Sequence, residues 1–113
     1  MTDKIVVLSA CASVEEANRI ASELVEKRLA ACVNLVSGVR SVYRWKDKIE
    51  ESQEVLLVIK TSRALFENVR SQTEKVHSYE LPEVIALPVV DGAEPYLEWM
   101  DRELVQEHAE QPD

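Results

Sequence analysis

Apolar positions along the chain recur with two different periods, and the switches between them outline the elements. Lys4 to Ala10 opens with a continuous run, Ile5-Val6-Val7-Leu8, as a central buried strand would. The spacing then turns helical: Val14, Ala17, Ile20, Ala21, Leu24 and Val25 define an amphipathic helix ending near Arg28. Ser13-Val14-Glu15-Glu16 reads as a capping box at its start, with Ser13 as N-cap and Glu16 reaching back. From Val33 to Thr61 the pattern is a long hairpin, its arms Val39–Trp45 and Ile49–Lys60 rich in β-branched and aromatic residues. Lys46-Asp47-Lys48 joins the arms, and Asp47 suits a tight turn because Asp tolerates a left-handed backbone. A second helix, capped by Ser62, is expected from Arg63 to about Lys75, with Leu65, Phe66, Val69, Thr73 and Val76 inward. Val84 to Val90 is again β-prone, and Pro88 puts its later half at an edge or bulge. Pro95 fits the first turn of a third helix that carries Tyr96, Leu97, Met100 and Leu104 inward. The polar tail from His108 to Asp113 is expected to fray.

The order β-α-β-β-α-β, then α, predicts a ferredoxin-like α+β sandwich, one domain over residues 1–113. Right-handed crossovers put both main helices on one sheet face. Yet the hairpin arms are apolar on both faces, as in Val42 beside Tyr43 and Leu56 beside Leu57. A sheet apolar on two sides needs a second cover, which in a short chain means self-association. Length argues the same way. Val33 to Trp45 would span about 40 Å extended, against a domain diameter of roughly 35 Å. A bend at Ser37-Gly38 and a tip covered by another subunit are both expected.

Composition narrows the function. A net charge of -8 opposes nucleic acid as a partner. Two glycines among 113 residues leave no Gly-rich phosphate loop. Leu8-Ser9-Ala10-Cys11 imitates a lipoprotein cleavage pattern, but the apolar run before it is too short for export. Cys11 and Cys32, isolated and without a CxxC spacing, then read as reduced thiols of a cytoplasmic protein with no membrane partner.

Candidate chemistry is sparse. Cys11 after the first strand and His77 after the second helix form a possible thiolate–imidazole pair, suited to copper or zinc. Each also has a structural reading, Cys11 as a small core hydrophobe and His77 as a helix C-terminal residue. Cys32 reads as a packing residue, and the Glu15-Glu16 and Glu50-Glu51 pairs as solvated faces. Tyr43, Trp45, Lys60, Tyr79 and Glu83 could line a cleft between subunits. No Ser-His-Asp set, phosphate loop or zinc-hydrolase spacing points to an enzyme.

Four stretches carry a resemblance: Leu29-Ala30-Ala31-Cys32-Val33-Asn34, Tyr43 to Glu51, Glu54 to Thr61, and His77-Ser78-Tyr79-Glu80-Leu81-Pro82-Glu83. Together they resemble the CutA divalent-cation tolerance family over about Ile5 to Met100. The resemblance implies a tight homotrimer similar to the PII signalling proteins, with hairpins pairing between subunits. It also implies tolerance of copper and other divalent ions, with Cys11 and His77 as metal ligands. Three positions depart from the family pattern. Val76 stands where a second histidine would be, Ser78 where the family has Pro, and Asp47 where it has a turn Gly. The alternative function is a PII-like signalling or scaffold module that binds a small ligand or protein at inter-subunit clefts.

Overall fold

The computed structural model describes residues 1–105. Strands β1 (Lys4–Cys11), β2 (Cys32–Trp45), β3 (Lys48–Ser62) and β4 (Ile85–Pro88) alternate with helices α1 (Val14–Glu26), α2 (Phe66–Val76) and α3 (Glu94–Glu103). The strands form one antiparallel sheet in the order β2-β3-β1-β4, the ferredoxin-like arrangement. β1 is central, so it is apolar on both faces as its sequence requires. Ile5, Val7 and Cys11 alternate with Val6 and Leu8 and meet Val55, Leu57 and Ile59 of β3 beneath the helices. Ala17, Ile20 and Leu24 of α1 and Val69 of α2 close that core.

The opposite face keeps its apolar residues. Val6, Leu8, Leu56 and Val58 are only half-buried, and Val42 and Ile49 near the hairpin tip are each 62 % exposed. The molecule measures 44 × 34 × 23 Å, with a radius of gyration of 14.8 Å. A compact chain of this length should give about 13 Å, and the projecting hairpin accounts for the excess. Among the described residues no helix is long and apolar enough to cross a membrane.

The hairpin pairs from Cys32↔Lys60 to Trp45↔Lys48, with a register shift between Val36 and Val39. Gly38 sits in that shift at φ +75°, a left-handed conformation that bends the strand as a bulge. A Cβ built there meets nothing within 4 Å, so a substitution is penalised by backbone strain alone. Gly38→Ala is therefore expected to cost about 1 kcal/mol, read as a lower urea midpoint at unchanged m-value. At the tip, Lys46 and Asp47 both take positive φ (51° and 68°), the mirror-image turn whose twist matches two strands.

Helix details differ from the periodicity in instructive ways. α1 stops at Glu26 because Arg28 turns left-handed at φ 59° and the N–H groups of Leu29 and Ala30 return to the Leu24 carbonyl. Val14 and Val25 are exposed: the buried stripe is Ala17-Ile20-Leu24, and Val25 lies a hundred degrees around from Leu24. Ser62 makes no side-chain cap, because a 3-10 turn, Arg63–Leu65, precedes α2. In α3 the stripe is Leu97-Met100-Leu104, which leaves Tyr96 exposed and stacked on Trp99, ring centroids 5.3 Å apart. Residues 108–113, expected to fray, lie outside the described residues.

Candidate functional site

Three element ends converge at one end of the core. β1 ends in Cys11, the first turn of α1 carries Glu16, and His77 caps the C-terminus of α2. Their potential ligand atoms all lie within 4.8 Å of one another. The His77 side chain is fully buried, and that of Glu16 is 12 % exposed, so Glu16 forms the outward wall.

The hydrogen bonds fix the imidazole. His77 Nε2 lies 2.8 Å from the Ala10 carbonyl and donates to it. Nδ1 is thereby the acceptor nitrogen; it receives the Tyr79 N–H at 3.2 Å and sits 3.3 Å from Glu16 Oε2. Glu16 also accepts the Ser78 N–H and hydroxyl, each at 2.8 Å. This corrects both earlier expectations for Glu16. It is no solvated residue, and the capping box is only half formed: Ser13 Oγ accepts the Glu16 N–H, while the Glu16 carboxylate turns to the loop after α2. The N–H and hydroxyl of Ser78 hold it there.

Burial pushes the Cys11 thiol up to about 12, and the negative charges of Glu16 and Glu54 push in the same direction. Cys11 is thus a protonated, unreactive thiol in the metal-free protein. At pH 8, iodoacetamide is expected to modify half-buried Cys32 before Cys11, with Cys11 labelled only after denaturation; peptide mass mapping checks this.

Nitrogen, sulfur and oxygen donors together suit copper or zinc better than calcium or magnesium. Three protein ligands match an open site with a further position for water or another group. The Nε2–H bond to a backbone carbonyl is the outer contact that orients a metal-ligating histidine. The residues present fit such an ion. Val76, at the position of the second histidine, packs against the core, and Glu16 is the third group whose ligand atoms lie close to those of Cys11 and His77.

Tyr79 leads from this triad into a cleft of about 760 Å³ between the hairpin and the loop after α2. Its ring lies 4.8 Å from the His77 ring, and its hydroxyl donates to Glu54 Oε2 at 2.8 Å. Burial and the Glu54 carboxylate both raise the pKa of this phenol above its ordinary value. Tyr43, Trp45, Tyr79 and Glu83, expected at a cleft between subunits, all line this cleft within one chain. Lys60 does not. It pairs with Val6 and Cys32, six residues and about 20 Å along β3 from Glu54, and its Nζ lies 5.7 Å over the Tyr96 ring beside α3. Glu16 and Glu54 escaped the sequence reading. The usable signal for Glu54 was its place two residues before Leu56, on the sheet face away from the helices.

Comparison with known proteins places the chain in a family. The family model described as CutA1 divalent ion tolerance protein matches residues 5–103. The divalent-cation tolerance protein CutA of Thermus thermophilus is 45% identical over 95 residues, covering 84% of this chain and 92% of that one. Protein CutA of Homo sapiens is 51% identical over 90 residues, covering 80% of this chain and 50% of its own length. The chain thus spans about half of that mammalian relative. The crystal structure of CutA from Xylella fastidiosa superposes with a TM-score of 0.90 at 38% identity, covering 92% of this chain and 100% of that one. The chain belongs to the CutA1 divalent ion tolerance family.

Proposed function

We propose that the protein serves divalent-ion tolerance without catalysing a reaction, by holding copper or another divalent cation at Cys11, Glu16 and His77. The observation that carries this reading is the convergence of three chemically suitable donors within 4.8 Å at the ends of three elements. Bound there, the ion would supply a Lewis-acidic centre; the chain supplies the oriented imidazole, the carboxylate and the shielded sulfur. The same proposal makes the protein a cytoplasmic homotrimer. Free Cys11 and Cys32 favour a reducing compartment. The half-apolar outer sheet face and projecting hairpin favour partners of the same kind.

Isothermal titration with copper and zinc tests the site. Cys11→Ala, Glu16→Gln and His77→Ala are each expected to weaken binding by at least roughly tenfold. Equal isotherms for all four proteins would remove the site. Light scattering of the purified protein tests the assembly, and a monomer at micromolar concentration contradicts it. A second reading has its own observation: the aromatic cleft lined by Tyr43, Trp45 and Tyr79 favours a PII-like module that takes a small ligand.

A further inference from the structure

The cleft walls have a consistent chemistry. Tyr43 and Trp45 come from β2 and Tyr79 from the loop after α2, giving three aromatic rings. Glu54, Glu80 and Glu83 supply carboxylates, and no lysine, arginine or histidine is among the lining residues. Glu54 gives one oxygen to the Tyr79 hydroxyl, whereas neither Glu80 nor Glu83 has a side-chain partner among the described residues. Such walls repel anions.

Aromatic faces attract cations through the ring quadrupole, most strongly when the cation has shed water. The chain itself demonstrates this: Lys46 Nζ lies 5.9 Å from the centroid of Trp45, so this ring already presents a face to an ammonium group. Size separates an organic cation from a bare metal ion. About 760 Å³ lies within the range of small-molecule sites and far exceeds what one ion needs. Hard cations would also use the carboxylates alone and leave the rings without a role. The net charge of -8 adds a long-range pull of the same sign.

We propose that this cleft binds a small organic cation bearing ammonium groups, its alkyl part against Tyr43, Trp45 and Tyr79 and its charges toward Glu54, Glu80 and Glu83. The proposal rests on the reading that the cleft takes a ligand, and it names the class.

The test titrates spermidine into the full-length Trp99→Phe protein at fixed ionic strength and follows Trp45 fluorescence. Butanol and butyrate serve as neutral and anionic counterparts. Saturable binding of spermidine is expected, weakened roughly fivefold or more by Tyr43→Leu and by Glu83→Gln, with neither counterpart binding. Circular dichroism verifies that both variants are folded. A spermidine signal that both variants leave unchanged reports charge attraction at large and overturns the proposal. Equal binding of butanol overturns the cationic class while the ligand cleft stands. Silence from all three probes removes the ligand reading too. Should side chains of a second copy fill the cleft, the trimer gives this silent result.

Discussion

His77→Ala is expected to abolish high-affinity copper or zinc binding and to lower folding stability by about 3 kcal/mol. The stability loss follows from what the imidazole holds. It pins the Ala10 carbonyl through Nε2 and the Tyr79 N–H through Nδ1, inside a site where its own side chain is fully buried. Taking the partner from a buried backbone group costs about 1–3 kcal/mol; here the buried bond to the Ala10 carbonyl is lost together with the part-buried one from the Tyr79 N–H. The cavity left behind adds to this, while water entering past Glu16 offsets part of it. Cys11→Ala separates the two effects. Removing one small buried side chain should cost only about 1 kcal/mol, yet it takes away the sulfur donor. Urea denaturation beside metal titration of both variants reads the difference. If His77→Ala unfolds at the wild-type midpoint, the imidazole is not the clamp described here.

The second large effect contrasts adjacent leucines. Leu57 is fully buried beneath the helices, where it faces Ser9 and Leu35 across the sheet. Leu57→Ala should cost about 3–4 kcal/mol at any protein concentration, the usual range for a core Leu→Ala. Leu56 points the other way, between Ala10 and Val36, and is half-buried. Within one chain its loss should cost about 1 kcal/mol, in proportion to the area it hides. If copies of the chain cover that face, Leu56→Ala instead lowers the unfolding temperature in a concentration-dependent manner. Thermal scans across a hundredfold concentration range distinguish these outcomes. A loss for Leu56→Ala that is small and independent of concentration would leave the outer face uncovered.

Most of the fold was legible in the residues because its signals are local. The run Ile5 to Leu8 could only be a central strand, and the Ala17-Ile20-Leu24 stripe could only face a core. Gly38 marked its own bulge, since few other residues tolerate its φ. The errors also have local causes. Tyr96 and Val25 are apolar enough to count inward, but each sits one residue off its helix's tight stripe. The site was legible only in part, because it is assembled from sequence-distant ends. Cys11 and His77 could be named as a pair by chemistry, and Val76 looked like a missing ligand. Nothing local disclosed that Glu16, five residues after Cys11, abandons its cap for Ser78 beside the His77 ring. Lys60 was placed in the cleft by residue type, whereas strand register carries it to the other end of β3.

Tyr79 belongs to both sites at once. Its N–H occupies the nitrogen of His77 that a metal ion would need, and its hydroxyl is tied to Glu54 in the cleft wall. An ion at Nδ1 must displace that N–H, and an occupant of the cleft must settle against the same ring. The two occupancies are therefore linked through the position of one residue. Linkage is reciprocal: the factor by which the ion changes the affinity of the cleft equals the factor by which the cleft's occupant changes that of the ion. With both proposed sites filled, this coupling would show as a shift in the metal titration when spermidine is added, and as the same factor in the spermidine titration when the metal is added.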